Sequence, residues 1–250
     1  MRVLFALLAL VLLGGARDPI LVPEVSQHEI QVRQGFTGAE LLLFGAVLTP
    51  EGTRIGRDLD IVVVLKGPTQ SIVLREKRKI AGVWINAAST GFRSAPGFYA
   101  VSASRPIHQI VDDKTAAIYE LGLPWLQLSP IGAIEPREQT RFAAGLVDLM
   151  ARKGLYQQDE KGVKLSGQVL YQARISLPSS VQTGTYTAET FAISHGVVVA
   201  SATSRVEVRK LGFELAIADF AQDWSFFYGL LAVAISVAMG WAAGRLFALV

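Results

Sequence analysis

The sequence contains no cysteine and a single asparagine, Asn86, and its three histidines, His28, His108 and His195, are far apart. Without cysteine there can be no disulfide and no thiolate-held metal, so a folded region of this chain must rest on a hydrophobic core. Asn86 is followed by Ala87-Ala88, so no N-x-[ST] glycosylation acceptor exists. The chain also lacks an H-E-x-x-H pair, a G-x-S-x-G elbow and a phosphate-binding P-loop, which leaves no cofactor motif and no recognisable catalytic motif. Nor is there a large excess of one charge: 24 basic and 21 acidic residues give a formal net charge of +3. The basic residues are spread along the chain, which argues against a nucleic-acid-binding stripe.

Charge is missing altogether between Asp223 and Arg245, where WSFFYGLLAVAISVAMGWAAG occupies residues 224 to 244. At about 1.5 Å per residue such a helix is about 31 Å long, matching the roughly 30 Å hydrocarbon core of a bilayer. Trp224, Tyr228 and Trp241 lie towards its ends, where amphipathic rings favour the interfacial layers. The opening MRVLFALLALVLLGGARDP places Arg2 before an apolar run from Val3 to Leu13 and the small residues Gly14, Gly15 and Ala16. That is the order of a secretory signal cut after Ala16, with an uncleaved anchor as the alternative. The expected organisation is a signal peptide at 1–16, an exported β-domain at 17–210, a juxtamembrane segment at 211–223, a transmembrane helix at 224–244 and a cytoplasmic tail at 245–250. Arg245 on the inner side satisfies the positive-inside rule. Arginine at twice the lysine count and the missing glycosylation acceptor suit the bacterial inner membrane, with the bulk of the chain in the periplasm.

Within 17–210, short apolar runs recur between turn residues: HEIQVR (28–33), AELLLFGAVL (39–48), DIVVVLKG (60–67), SIVLRE (71–76), KIAGVWIN (79–86) and GFYAVSAS (97–104). Turn chemistry is supplied by Gly-Phe-Thr-Gly at 35–38, Thr-Pro-Glu-Gly at 49–52 and Gly67-Pro68. Helix formers then take over between about 112 and 155. There Phe142, Leu146, Leu149 and Met150 share a helical face, Gly154 offers a stop, and the proline-rich LPWLQLSPIGAIEP joins two helices. Strand character returns in QVLYQARISLP (168–178), GTYTAETFAIS and VVVASATSRVEVR, giving about nine strands. Tyr99 and Tyr186 each follow a turn glycine by two residues, as at the corner of an immunoglobulin-like fold. The expected fold is mainly β: an immunoglobulin-like antiparallel β-sandwich with a helical insertion, plus one C-terminal transmembrane helix. Two small sandwich modules are the alternative.

His28-Glu29-Ile30, Phe36-Thr37-Gly38, Phe44-Gly45-Ala46, Trp84-Ile85-Asn86 and Pro96-Gly97-Phe98-Tyr99, followed by the final apolar helix, occur in an order that resembles an uncharacterised family of alphaproteobacterial transmembrane proteins. The resemblance covers nearly the whole chain and implies location rather than chemistry, with no family active site to carry over. Members of that family are often encoded beside sulfite-exporter-like permeases, so the resemblance points to a role near transport but assigns no residue.

Four features are candidates for function. Ala232, Ser236, Gly240 and Gly244 recur every four residues along the membrane helix, a small-residue stripe along which a second helix can pack closely. Arg75, Lys77, Arg78 and Lys79 are read as a solvated hairpin tip that could contact anionic headgroups or an acidic partner surface. Trp84 is expected in the core, where Asn86 on the same face would need a hydrogen bond; exposed, it would be a docking residue. His108 with Asp112 and Asp113 is the best arrangement for a metal, since i, i+4 spacing would place imidazole and carboxylate together on a helix, against the simpler role of a helix cap. The expected function is a non-enzymatic, membrane-anchored periplasmic binding or accessory protein. Its expected partners are the lipid bilayer and a membrane protein, itself or a permease, with a membrane-tethered metal-dependent hydrolase as the alternative.

Overall fold

The computed structural model describes residues 19–32, 36–48, 59–167, 169–210, 217 and 220–247. The expected signal peptide, the turn at 49–52, most of the juxtamembrane segment and residues 248–250 lie outside the described residues. The β-domain and the C-terminal helix belong to two separate units and are taken in turn.

Among the described residues twelve strands form three sheets. The first has the order β1 (Ile20–Val25), β3 (Gly38–Leu48), β10 (Leu170–Pro178), β9 (Val163–Ser166). The second has the order β2 (Glu29–Val32), β12 (Val197–Lys210), β11 (Gly184–Ser194), β4 (Leu59–Lys66), β7 (Tyr99–Ala103), β8 (Tyr156–Asp159). The third is the hairpin of β5 (Thr69–Ile80) and β6 (Val83–Pro96). β10 pairs with β3 and β11 with β4, so strands from before and after the helical segment share both larger sheets.

Alternation explains how the two larger sheets meet. In β10, Tyr171, Ala173, Ile175 and Leu177 are buried while Arg174 and Ser176 are exposed, so one face turns inward. On the facing sheet Thr190 accepts a long contact from the Tyr171 hydroxyl at 3.4 Å. Thr190 pairs with Val63, which places Ile61, Val63 and Leu65 of β4 on the same inner face. The apolar run of β4 is buried on its other face as well. There Val62 pairs with Phe191, whose ring lies 5.4 Å from that of Tyr119 in α2 (Asp113–Tyr119). A central strand covered on both sides reads as a continuous hydrophobic run, which is what DIVVVLKG is.

The helical segment comprises α1 (Ile107–Ile110), α2, a 3₁₀ turn at Leu123–Trp125 and α3 (Pro136–Arg152). α3 buries Phe142, Leu146 and Met150, while Leu149 is half-buried at the edge of that stripe. It ends as its sequence predicts, with Gly154 at φ 69 and the Leu155 amide donating to the Met150 carbonyl at 3.0 Å. α4 (Ser225–Phe247) is a 23-residue helix, about 35 Å at 1.5 Å per residue, with Arg245 in its last turn. It is long and apolar enough to cross a membrane.

Several details differ from the sequence reading. REKRK is not a hairpin tip: Arg75, Lys77, Arg78 and Lys79 lie along β5, and KIAGVWIN is split between two strands by a turn at Ala81-Gly82. Both turn residues have positive φ, 49° and 87°, the mirror-image geometry that suits the twist of a two-residue hairpin. Three strands go beyond the nine expected. β1 contains Pro23 and pairs only with β3, the edge position a proline tolerates. β8 and β9 are short and largely polar, and β8 runs parallel to β7.

Candidate interaction surfaces

The β5–β6 hairpin is anchored at one end and free at the other. At its stem Phe92 is fully buried, the Arg93 amide donates to the Ser129 carbonyl at 2.9 Å, and the Ile131 amide donates to the Gly91 carbonyl at 2.7 Å. Higher on β5, Glu76 is bound from two sides, by Arg78 at 3.0 Å and by Arg141 of α3 at 3.1 Å. The Arg78 hydrogen bond, helped by the charges of Arg141 and Arg78, holds the Glu76 carboxyl below its ordinary pKa against a counteracting desolvation. Immediately beyond, the register shifts between Glu76 and Lys77, a bulge that strengthens local twist. From Lys77 to Ala87 every residue is exposed on both faces.

Cross-strand pairing sorts this free end into two unlike faces. Ile80 stands opposite Val83 and Arg78 opposite Ile85, whereas Lys79 stands opposite Trp84 and Lys77 opposite Asn86. Directly opposed residues share a face and neighbours along a strand alternate. One face therefore carries Ile80, Val83 and Ile85, with Arg78 turned back to Glu76. The other carries Trp84 and Asn86 across from Lys79 and Lys77. Among the described residues neither lysine has an ion-pair partner, and Lys77 to Ala88 includes no acidic residue.

Trp84 is 65% exposed, so the expectation of a core tryptophan is wrong. Among the described residues no layer covers the end of the hairpin, so Asn86, itself exposed, needs no buried partner. Val83 at 63%, Ile80 at 54% and Ile85 at 43% exposure were not singled out from the sequence. Their signal was apolar residues closing on both sides of an Ala-Gly pair, which the single-strand reading of KIAGVWIN concealed.

His108, Asp112 and Asp113 are not gathered as the helical spacing implied. α1 ends at Ile110, and Val111 is extended at φ −137°. Asp112 caps α2, its carboxylate accepting from the Thr115 amide at 2.9 Å, and the Thr115 hydrogen bonds hold its pKa below the ordinary carboxylate value. His108, Asp113 and Glu160 are among the residues lining a small pocket of about 190 Å³. Among the described residues no group of three His, Asp or Glu side chains is placed to hold a metal together.

A wider groove of about 860 Å³ runs between α3 and the proline-rich segment, walled by Leu126, Pro130, Ala143 and Val147 with Gln139 and Asp148. On α4, Ala232, Ser236, Gly240 and Gly244 are all exposed, and a side-chain carbon added at Gly240 or Gly244 would meet open space. The Ser236 hydroxyl donates to the Ala232 carbonyl at 2.8 Å, so this polar group is satisfied within its own helix.

A family model described as "Putative transmembrane protein (Alph_Pro_TM)" matches residues 20–248, taking in both the β-domain and α4. Among curated proteins none matches the chain.

Proposed function

This chain belongs to the Alph_Pro_TM family of transmembrane proteins, and from that premise we propose a membrane-anchored binding or accessory protein that acts by contact. In this reading the β-domain is exported to the periplasm of a bacterial inner-membrane protein, α4 spans the bilayer, and the chain's end lies in the cytoplasm. The observation that carries it is the free end of the β5–β6 hairpin. A soluble domain seldom holds four large apolar side chains in water on an extended arm, and contiguous exposed apolar surface marks a place where something docks.

The β-domain is immunoglobulin-like in this proposal, supported by a tyrosine corner. Tyr186 follows the turn residue Gly184 by two positions, and its hydroxyl donates to the Gln182 carbonyl at 2.8 Å. The stripe on α4 is where a second membrane helix would pack, either from another copy or from a sulfite-exporter-like permease.

Periplasm-dependent phosphatase fusions test the topology. A reporter placed after Arg209 should be active and one placed after Val250 silent. The reverse result would overturn the assignment of sides. Solubilising native membranes in mild detergent and isolating the full chain should bring a membrane protein with it in fixed proportion. Recovery of the chain alone as a monomer would leave α4 a simple anchor.

A further inference from the structure

We propose that the free end of the β5–β6 hairpin inserts into the interfacial layer of an anionic bilayer, giving the β-domain a second membrane contact besides α4. The inference rests on the reading that this end is a contact element and names its occupant.

Three observations favour lipid over a protein groove. First, apolar surface is not confined to one face: Ile80, Val83 and Ile85 lie on one side and Trp84 on the other, each at least 43% exposed. A protein partner that covered one face would leave the other in water, whereas lipid surrounds an inserted element on all sides. Second, the polarity changes along the arm in the order of a bilayer's layers. Ile80, Ala81, Gly82 and Val83 form the end, and Trp84 lies on the next rung opposite Lys79. Lys77 follows about 10 Å behind Ile80 at roughly 3.3 Å per strand residue. Acyl chains, then an aromatic and cationic belt, then water is the arrangement that places indole and ammonium groups at headgroup depth. Third, the free charge is of one sign. Arg78 is neutralised by Glu76, so Lys77 and Lys79 supply the net charge of the arm, and acidic headgroups complement it. The same chain carries a helix long and apolar enough to cross a bilayer, and such a tether lets even weak interfacial affinity act at high effective concentration.

The hairpin itself is suited to insertion. Its backbone groups are paired strand to strand as far as Ile80 and Val83, so few polar groups would enter the interface unsatisfied. The two-sided tie of Glu76 to Arg78 and Arg141 sets where the rigid stem ends and the exposed arm begins.

The absence of cysteine makes the test direct. Val83→Cys gives the full chain one thiol for an environment-sensitive fluorophore, and Lys161→Cys, at an exposed turn, gives a control. Each labelled chain is placed in nanodiscs of phosphatidylglycerol mixed equally with phosphatidylcholine, or of phosphatidylcholine alone. The expected result in the anionic discs is a several-fold loss of iodide quenching at position 83, with quenching by nitroxide-bearing lipid in its place. Position 161 should stay open to iodide throughout. Protection should shrink in phosphatidylcholine discs and when Lys77→Glu and Lys79→Glu are combined. Because these side chains touch nothing in the core, circular dichroism should be unchanged. Equal protection in both discs that survives the charge reversal would overturn the assignment to anionic lipid. Full iodide access in both discs would overturn insertion altogether, and the same label in native membranes then separates the two readings. Protection there would mean a protein covers the arm and the contact reading stands; access there would sink both.

Discussion

The Tyr99 hydroxyl donates to the Glu120 carbonyl at 2.5 Å and accepts from the Gly122 amide at 3.0 Å, so one buried phenol closes the C-terminal end of α2. Glu120 there is left-handed at φ 52°, and its carboxylate accepts from Lys66 at 2.7 Å and from the Gln127 amide at 2.9 Å. Tyr99→Phe would leave that carbonyl and amide without their partner in a dry site. The loss should be about 1–3 kcal/mol. For a domain of this size that is a fall in melting temperature of several degrees at about 2–4 °C per kcal/mol, measurable on the full chain in detergent. An unchanged transition would mean that water replaces the phenol at no cost.

The same node sets the alkaline limit. Burial acts to lower the Lys66 pKa, but the hydrogen bonds and charges of Glu120 and Glu189 outweigh it and raise the value above normal. Burial raises Tyr99, Tyr156 and Tyr171 above the usual phenol range and pushes Tyr186 up to about 12. A group whose folded pKa is raised contributes stability that is complete below its unfolded value and is lost as pH climbs through the folded one. With unfolded values of about 10 for tyrosine and about 10.4 for lysine, stability should hold to about pH 10 and decline above it. Absorbance at 295 nm should show four of the six tyrosines ionising only together with unfolding. Smooth titration of all six in a folded chain would contradict their burial.

Gly45 is a place where a single methyl group has no room. A side-chain carbon there would lie 2.3 Å from the Val22 carbonyl oxygen and 2.6 Å from the Tyr171 hydroxyl. The Tyr171 ring stands directly across the strand pair and covers the glycine on its way to Thr190. Gly45→Ala should force β1 or Tyr171 aside and cost at least the 1–3 kcal/mol of an overpacked core. Gly82→Ala, in open space but at φ 87°, separates backbone strain from crowding. A stable Gly45→Ala chain with an unmoved transition would show that β1 yields easily.

Exposure of Trp84 can be read from stability alone. Removing a buried tryptophan costs about 3–5 kcal/mol, whereas a surface change outside any network stays within about 0.5 kcal/mol. Trp84→Ala should therefore leave the transition of the full chain in detergent in place. A large loss would return the indole to a core and remove the arm from consideration.

How much of this could be read from the sequence depended on what each segment packs against. β10 was legible because Tyr171, Ala173, Ile175 and Leu177 alternate with polar neighbours across a half-wet sheet, and α3 because Phe142, Leu146 and Met150 repeat at helical spacing. The mainly β character and the apolar helix followed from such local signals. The Ala81-Gly82 turn was hidden because alanine rarely adopts positive φ and carries no turn signature. Trp84 was misplaced because whether a layer covers a strand is a tertiary fact, absent from its own alternation. Tyr99 was noticed for its spacing from Gly97, but it bonds across 21 residues to Glu120 rather than back to its own turn as Tyr186 does. In sequence the positive cluster is four equivalent charges, and the pairing with Glu76 that takes Arg78 out of it is set by the fold of the hairpin.

The stripe on α4 gives the sharpest test of a helix partner. Gly240 and Gly244 present bare backbone, and Ser236 adds no unsatisfied group because its hydroxyl is bound to the Ala232 carbonyl. Packing against another helix would then depend on close backbone approach and van der Waals contact rather than on interhelical hydrogen bonds. Gly240→Ile places a branched side chain where that approach must occur, yet keeps the segment apolar and able to insert. Ala234→Ile, off the stripe on the same helix, is the matched control for added bulk. In a membrane association assay, with the chain paired against itself or against a permease, Gly240→Ile should lose most of the signal and Ala234→Ile should keep it. Equal behaviour of the two variants would mean that this face meets only lipid, and any protein partner would have to engage the β-domain.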